Sequence, residues 1–274
     1  MQASSNDALN SLRRILTGYG SVAVAFSGGV DSTLLLQVAL MTLGPEKVVA
    51  VFGRSDLMKP SEEKRALAWL DSLQHKEGLH YHIVDWYPLS LNLIRGNGGA
   101  RCYHCKYHLF SLLQALQRTD GMAFLADGTN ADDLQEHRPG LQAIRELGVR
   151  TPLADAKLDK MLVRQVSRDL GLQSWNLPSA SCLATRIPVD MELSLAHLQR
   201  IALLEEELGA MGYQGSRVRL SRQQEQAVVV EIDPLHACAI STPSAQDAIR
   251  HRLGRHGVGS AQIILAQKSR VVAA

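Results

Sequence analysis

The stretch VAVAFSGGVDST, residues 22–33, decides how the chain is read. Small and β-branched apolar residues run from Val22 to Phe26 and stop at Ser27-Gly28-Gly29; Asp31, Ser32 and Thr33 follow at once. An unbroken apolar run of this length describes a strand buried on both faces, as in a parallel sheet. Glycine lets the main chain approach a ligand closely and take conformations that other residues avoid. A helix opening near Asp31 adds unpaired N–H groups and the positive end of its dipole. With the hydroxyls of Ser27, Ser32 and Thr33, the turn is a pocket for a phosphate chain, and Asp31 is suited to the accompanying Mg²⁺. An ordinary strand-to-helix turn would explain the glycines but not the aspartate and hydroxyls set around them. No G-x-x-x-x-G-K-[ST] occurs, which excludes a Walker P-loop.

Outward from this stretch, apolar runs alternate with helical spacing. Strands are expected at Val22 to Phe26, Lys47 to Phe52, Leu79 to Val84 and Met122 to Ala126, and helices at Ser32 to Leu43, Ser61 to Leu73 and His108 to Gln117. Pro60-Ser61-Glu62-Glu63 opens a helix well, with acidic residues where the macrodipole favours them. The alternation predicts an α/β domain, a parallel sheet with helices on both faces. Ligands of such sheets sit beyond the carboxyl ends of the strands, where SGGVDS and DGTNADD (127–133) both fall. A boundary is expected near Leu177-Pro178. Beyond it, a helix at Ser194 to Leu208, strands at Ser216 to Leu220 and Ala227 to Ile232, a helix near Ala245 to Gly257 and a strand at Gln262 to Leu265 predict a smaller α+β domain.

Composition narrows the function. A chain of 274 residues, 46% hydrophobic and 20% charged, can bury a sizeable core. A net charge of +2 and an aromatic fraction of 5% argue against a broad nucleic-acid surface or base-stacking platforms. The start, MQASSNDALNSLRRIL, is polar and then amphipathic, without the apolar core of a signal peptide, and no apolar run approaches the roughly 20 residues that span a bilayer. A cytoplasmic protein is expected. Four cysteines are too few for a disulfide scaffold.

RCYHCK (101–106), DGTNADD, RPG (138–140), RTPL (150–153) and PSASCLATRIP (178–188) follow in that order. The SGGVDS turn resembles the pyrophosphate-binding PP-loop of the adenine-nucleotide α-hydrolase superfamily, whose enzymes cleave ATP to AMP and pyrophosphate. In this combination of blocks, over most of its length, the chain resembles the LarE family, ATP-dependent sulfur transferases that help make the nickel-pincer nucleotide cofactor. The resemblance implies a doubly wound sheet of the HUP type in a PP-loop ATP pyrophosphatase domain, 1–177, and a sulfur-transfer and substrate domain, 178–274. It implies ATP bound through Ser27, Gly28, Gly29, Asp31 and Ser32 and through Gly128, Thr129 and Asn130, with Asp31 on Mg²⁺. It implies a pyridinium dicarboxylate mononucleotide as substrate, a homo-oligomer, hand-over to a nickel-inserting protein, and no stable nucleic-acid or membrane partner.

Cys182 has small or polar neighbours and a cation, Arg186, four residues on, which favours the thiolate; most unpaired cysteines are instead small core residues. In the family this position carries the transferred sulfur. The implied chemistry is adenylation of a carboxylate, attack by the Cys182 thiolate to give a thioester, and cleavage of the Cβ–S bond, leaving a thiocarboxylate and dehydroalanine. Cys102 and Cys105 leave alternatives open. They are structural thiols, half of a metal site, or, with Cys182, ligands of a [4Fe–4S] cluster that would supply the sulfur instead.

Arg217 and Arg219 alternate on one strand and face one side, as a solvated face or as a clamp for the substrate's phosphate; the family has a counterpart of the pair. Glu205-Glu206-Glu207 reads as a solvated face or as one that lends a carboxylate to the active site, Cys238 as core, and His104 with His108 as too weak a pair for a metal site. Asp132, Asp133 and Arg138 touch ATP or its metal, or cap a helix. Three other functions stay in play. A tRNA-thiolating PP-loop enzyme would want a basic surface, an amide-forming AMP-forming ligase would leave Cys182 unexplained, and a nucleotide sensor would release no pyrophosphate.

Overall fold

The computed structural model describes residues 4–135, 139–224 and 226–266, so Arg138 lies outside the described residues. Its elements in chain order are α1 (Ser5–Tyr19), β1 (Val22–Phe26), α2 (Val30–Leu43), β2 (Val48–Arg54), α3 (Pro60–Glu77), β3 (His80–Asp85), α4 (Asn92–Arg95), α5 (Arg101–Thr119), β4 (Phe124–Ala126), α6 (Pro139–Glu146), α7 (Pro152–Asp155), α8 (Lys160–Asp169), α9 (Leu195–Ala210), β5 (Arg217–Leu220), β6 (Ala227–Ile232), α10 (Pro243–Gly254) and β7 (Ser260–Leu265). The chain divides into two compact units, Met1–Ser55 with Glu62–Tyr87 and Cys102–Leu177, and Asp56–Ser61 with Pro88–Arg101 and Pro178–Ala274.

In the first unit the strands form one parallel sheet in the order β3-β2-β1-β4. The order reverses between β1 and β4, the switch point at which open α/β sheets leave a crevice beyond their carboxyl ends. Strand side chains alternate, and both faces are covered. Ala23, Val49, Val51 and Leu125 pack with Phe110 and Leu113 of α5 and Leu141 and Ile144 of α6. On the opposite face Phe26 stacks on Trp69 of α3 with ring centroids 5.2 Å apart. Double burial is why β1 has no polar position. Helix α2 is buried around most of its circumference, from Leu34 to Leu36 and Val38 to Leu40, and accordingly carries no polar stripe.

The helical region 139–169 shows no expected element in the sequence reading, because Pro139, Pro152 and Gly148 cut it into α6, α7 and α8, pieces too short for a sustained period. Arg150 pairs in parallel with Ala126 and extends the sheet beside β4. Helix α5 begins at Arg101, so Cys102 and Cys105 sit in its first two turns.

The second unit holds a mixed sheet in the order β5-β6-β7, with β5 antiparallel and β7 parallel to β6. Strand β6 alternates half-buried and buried residues along AVVVEI, the pattern of a sheet covered on one face. Two stretches from ahead of Pro178 belong to this unit. Leu183 N–H donates to Leu57 C=O at 2.8 Å. Asn97, buried and at φ +55°, donates through Nδ2 to the carbonyls of Ile187 and Pro188 at 3.3 and 2.9 Å, and accepts from Arg101 at 2.6 Å. A positive φ is tolerated by asparagine more readily than by most residues.

Candidate functional site

In the first unit the turn after β1 is shaped by its glycines. Gly28 sits at φ +75°, and a Cβ there would lie 2.7 Å from Cβ of Ala66 and 3.3 Å from its Cα, so only glycine fits between the turn and α3. Gly29 is the N-cap of α2 and supplies no side-chain cap, which leaves the first-turn N–H groups facing outward for an anion. Ser32 is buried and braces the turn from inside: its Oγ accepts from Ser27 N–H at 3.2 Å, lies 3.1 Å from Ser27 Oγ and donates to Gly29 C=O at 3.2 Å.

The loop after β4 stands against this turn because their strands are neighbours. A Cβ on Gly128 would lie 2.8 Å from Ser32 N and 3.1 Å from the Asp31 carbonyl carbon, so the close approach requires glycine. Asn130 is buried and donates through Nδ2 to Asp31 Oδ1 at 3.0 Å. Asp127, buried at the strand end, accepts from Thr129 N–H at 3.0 Å and from Lys106 Nζ at 3.0 Å. Asp132 accepts from Lys160 N–H at 2.9 Å and Asp133 from Asn130 N–H at 3.0 Å; both brace the loop. Lys160 Nζ donates to Asp31 Oδ2 at 2.5 Å. The structure thus brings together Ser27, Gly28, Gly29, Asp31, Ser32, Gly128, Thr129 and Asn130. Lys106, Asp127 and Lys160 join them; the sequence quotes the first two inside motifs without a role, and nothing local marks Lys160.

In the second unit Cys182 precedes a short 3₁₀ turn, Leu183–Arg186. Arg186 is buried, with side chain 3% exposed, and holds that turn. One terminal nitrogen donates to Ser181 C=O at 2.9 Å, Ser181 Oγ at 2.5 Å, Thr185 Oγ1 at 2.9 Å and Cys182 C=O at 3.3 Å. The charge of Arg186 is shared with Glu205, whose carboxylate accepts from Nε at 2.8 Å and from the other terminal nitrogen at 3.2 Å. Glu205 also pairs with Lys59 at 2.6 Å and accepts from Val218 N–H at 3.0 Å. Burial alone would raise its pKa, but the hydrogen bonds and charges of Arg186 and Lys59 outweigh that and hold it below the ordinary carboxylate value. The solvated-face reading is corrected for Glu205, and also for Glu207, which pairs with Arg252 and His256; Glu206 is exposed. Helical spacing separates the three, because neighbours in sequence point 100° apart.

Arg219 donates to Glu231 at 2.6 Å and to Thr185 C=O at 2.6 Å. Arg217 is half-buried, and among the described residues no carboxylate forms a salt bridge with it. Its pKa is lowered by burial and by the like charges of Arg186 and Arg219. An arginine stays charged regardless, so the direction reports burial beside two like charges, which Glu231 and Glu205 offset only in part.

Cys238 is exposed, which corrects the core expectation: it falls in a short 3₁₀ turn, Cys238–Ile240, not in an element with a buried face. Cys102 and Cys105 lie in the first unit and Cys182 in the second. The described residues gather no group of three or more His, Cys, Asp or Glu side chains able to hold a metal ion. A Mg²⁺ asks less of the protein, one carboxylate with the rest of the shell from water and phosphate, and Asp31 fits that demand. Among the described residues no helix is long and apolar enough to cross a membrane.

No family model matches the chain. It is 35% identical to an uncharacterized protein of Synechocystis sp. over 82% of this chain and 81% of the relative. It is 33% identical to the pyridinium-3,5-bisthiocarboxylic acid mononucleotide synthase of Lactiplantibacillus plantarum, over 72% of this chain and 70% of that one. An uncharacterized protein of Methanocaldococcus jannaschii is 30% identical over 77% of each.

Proposed function

The chain belongs to the LarE family, and on that premise we propose that it is an ATP-dependent sulfur transferase that converts a carboxylate of a pyridinium dicarboxylate mononucleotide to a thiocarboxylate. The observation that carries the ATP half is the uncapped start of α2 behind a glycine turn that Ala66 forbids any other residue to fill. That geometry offers backbone N–H groups to the β- and γ-phosphates. Asp31, with phosphate oxygens, would hold a Mg²⁺, which when bound supplies charge neutralisation at those oxygens. A substrate carboxylate oxygen attacks the α-phosphorus, pyrophosphate leaves, and the acyl adenylate has a far better leaving group than the free acid.

Sulfur transfer falls to Cys182. Its thiolate displaces AMP to give an enzyme-bound thioester, and elimination across Cα–Cβ releases the thiocarboxylate and leaves dehydroalanine. Arg186 holds the turn that presents the cysteine, and Arg217, half-buried and in no salt bridge among the described residues, is the phosphate anchor for the substrate, with Arg219 beside it. The homo-oligomer and hand-over to a nickel-inserting protein complete the reading.

The test is intact-protein mass spectrometry before and after turnover with ATP, Mg²⁺ and the mononucleotide. Loss of about 34 Da, the mass of H₂S, at Cys182 is the expected outcome. Sulfurated product with unchanged protein mass would move the sulfur source to a cluster on Cys102, Cys105 and Cys182. No affinity for ATP with Mg²⁺ present would end the reading.

A further inference from the structure

Lys160 belongs to none of the motif blocks, yet its ammonium lies 2.5 Å from Asp31 at the opening of α2. Its backbone is held firmly. Its N–H donates to Asp132 at 2.9 Å, Asp159 caps α8 at Leu162 N–H at 2.8 Å, and Ala131 N–H donates to Leu158 C=O at 2.8 Å. The side chains are not closed off: Lys160 is 31% and Asp31 22% exposed, so an entering ligand reaches both. A partly exposed pair adds little to folding, so stability is a poor reason for it. Asp31 is also the carboxylate best suited to a divalent cation, and an ammonium and a metal ion compete for the same oxygen.

We infer that Lys160 is a positioning residue that exchanges partners: it pairs with Asp31 before nucleotide enters, then yields that carboxylate to the metal and turns to the phosphate oxygens. This rests on the PP-loop reading of the site. A long flexible stem on a fixed backbone suits such an exchange, since the ammonium can move while α8 stays in place. The consequence is coupling: the competing ammonium keeps the metal weak without nucleotide, and nucleotide relieves the competition.

Mn²⁺, followed by electron paramagnetic resonance with the full chain, reads this directly, with and without ATP. Lys160→Met should bind Mn²⁺ alone about tenfold more tightly than the parent protein and bind ATP at least about tenfold more weakly, one charge-assisted hydrogen bond each way. Adding Asp31→Asn to Lys160→Met should abolish the Mn²⁺ gain, and Lys160→Arg should keep most of the ATP affinity. The gain in metal affinity cannot come from misfolding, which only removes sites. Parent-like affinities for Mn²⁺ and ATP in Lys160→Met would overturn the inference while leaving the PP-loop reading intact. A parent protein that binds no ATP would overturn both.

Discussion

The turn at 27–33 and the turn at 181–186 are both short, both rich in small residues, and held by different means. The first is shaped by backbone: glycines where a Cβ meets Ala66 or the Asp31–Ser32 main chain, and hydrogen bonds mostly within five residues. The second is held by charge from afar, through Arg186 to Glu205 and on to Lys59. Backbone-shaped sites are insensitive to charge and intolerant of volume; charge-held sites are the reverse. Each can be broken where the other would survive.

The largest effect is expected at Glu205. Glu205→Ala leaves Arg186 buried without its carboxylate, and losing one partner of a buried pair costs about 3–5 kcal/mol. Chemical denaturation followed by tryptophan fluorescence measures it. Next comes Gly128→Ala, which drives a Cβ into Ser32 N and Asp31. Overpacking costs about 1–3 kcal/mol, and nucleotide binding should be lost in calorimetric titration. Neither change should reproduce the other: Glu205→Ala folded at low temperature retains ATP binding if the two turns are independent.

Arg217→Ala should weaken the mononucleotide about tenfold to a hundredfold, the worth of one hydrogen-bonded charge, with ATP affinity unchanged. Equal loss of both ligands would remove the anchor reading. Arg219→Ala should cost less than Arg217→Ala, because Glu231 already neutralises Arg219. The smallest expected effect is with pH. Glu205's carboxyl titrates below its ordinary 4.5, so its contribution to stability is full above that value and fades as pH falls through the lower, folded one. Thermal melts across that window should show the loss, and Glu205→Gln should flatten it.

The first sheet and its phosphate turn were legible because their determinants are local. A doubly buried strand writes itself as an apolar run, as Val22 to Phe26 does, and a turn that needs glycine shows glycine. Strands β1 and β6 occupy the expected residues, while α5 begins seven residues earlier than expected, its first turns too polar to carry a period. The cysteine turn was legible only as a motif. Its support comes from Lys59, Asn97 and Glu205, and no spacing rule links residues as far apart in the chain as Lys59 and the Glu205 it pairs with.

By itself the sequence determined the α/β alternation, the glycine turn and the family, because side-chain period, backbone freedom and motif order are all carried by near neighbours. Tertiary structure alone decided which charges meet. Lys160 reaches Asp31, Glu205 turns inward while Glu206 meets solvent, and among the described residues Arg217 forms no salt bridge. Coulomb and desolvation energies depend on distance and burial in space, and the order of residues along the chain fixes neither.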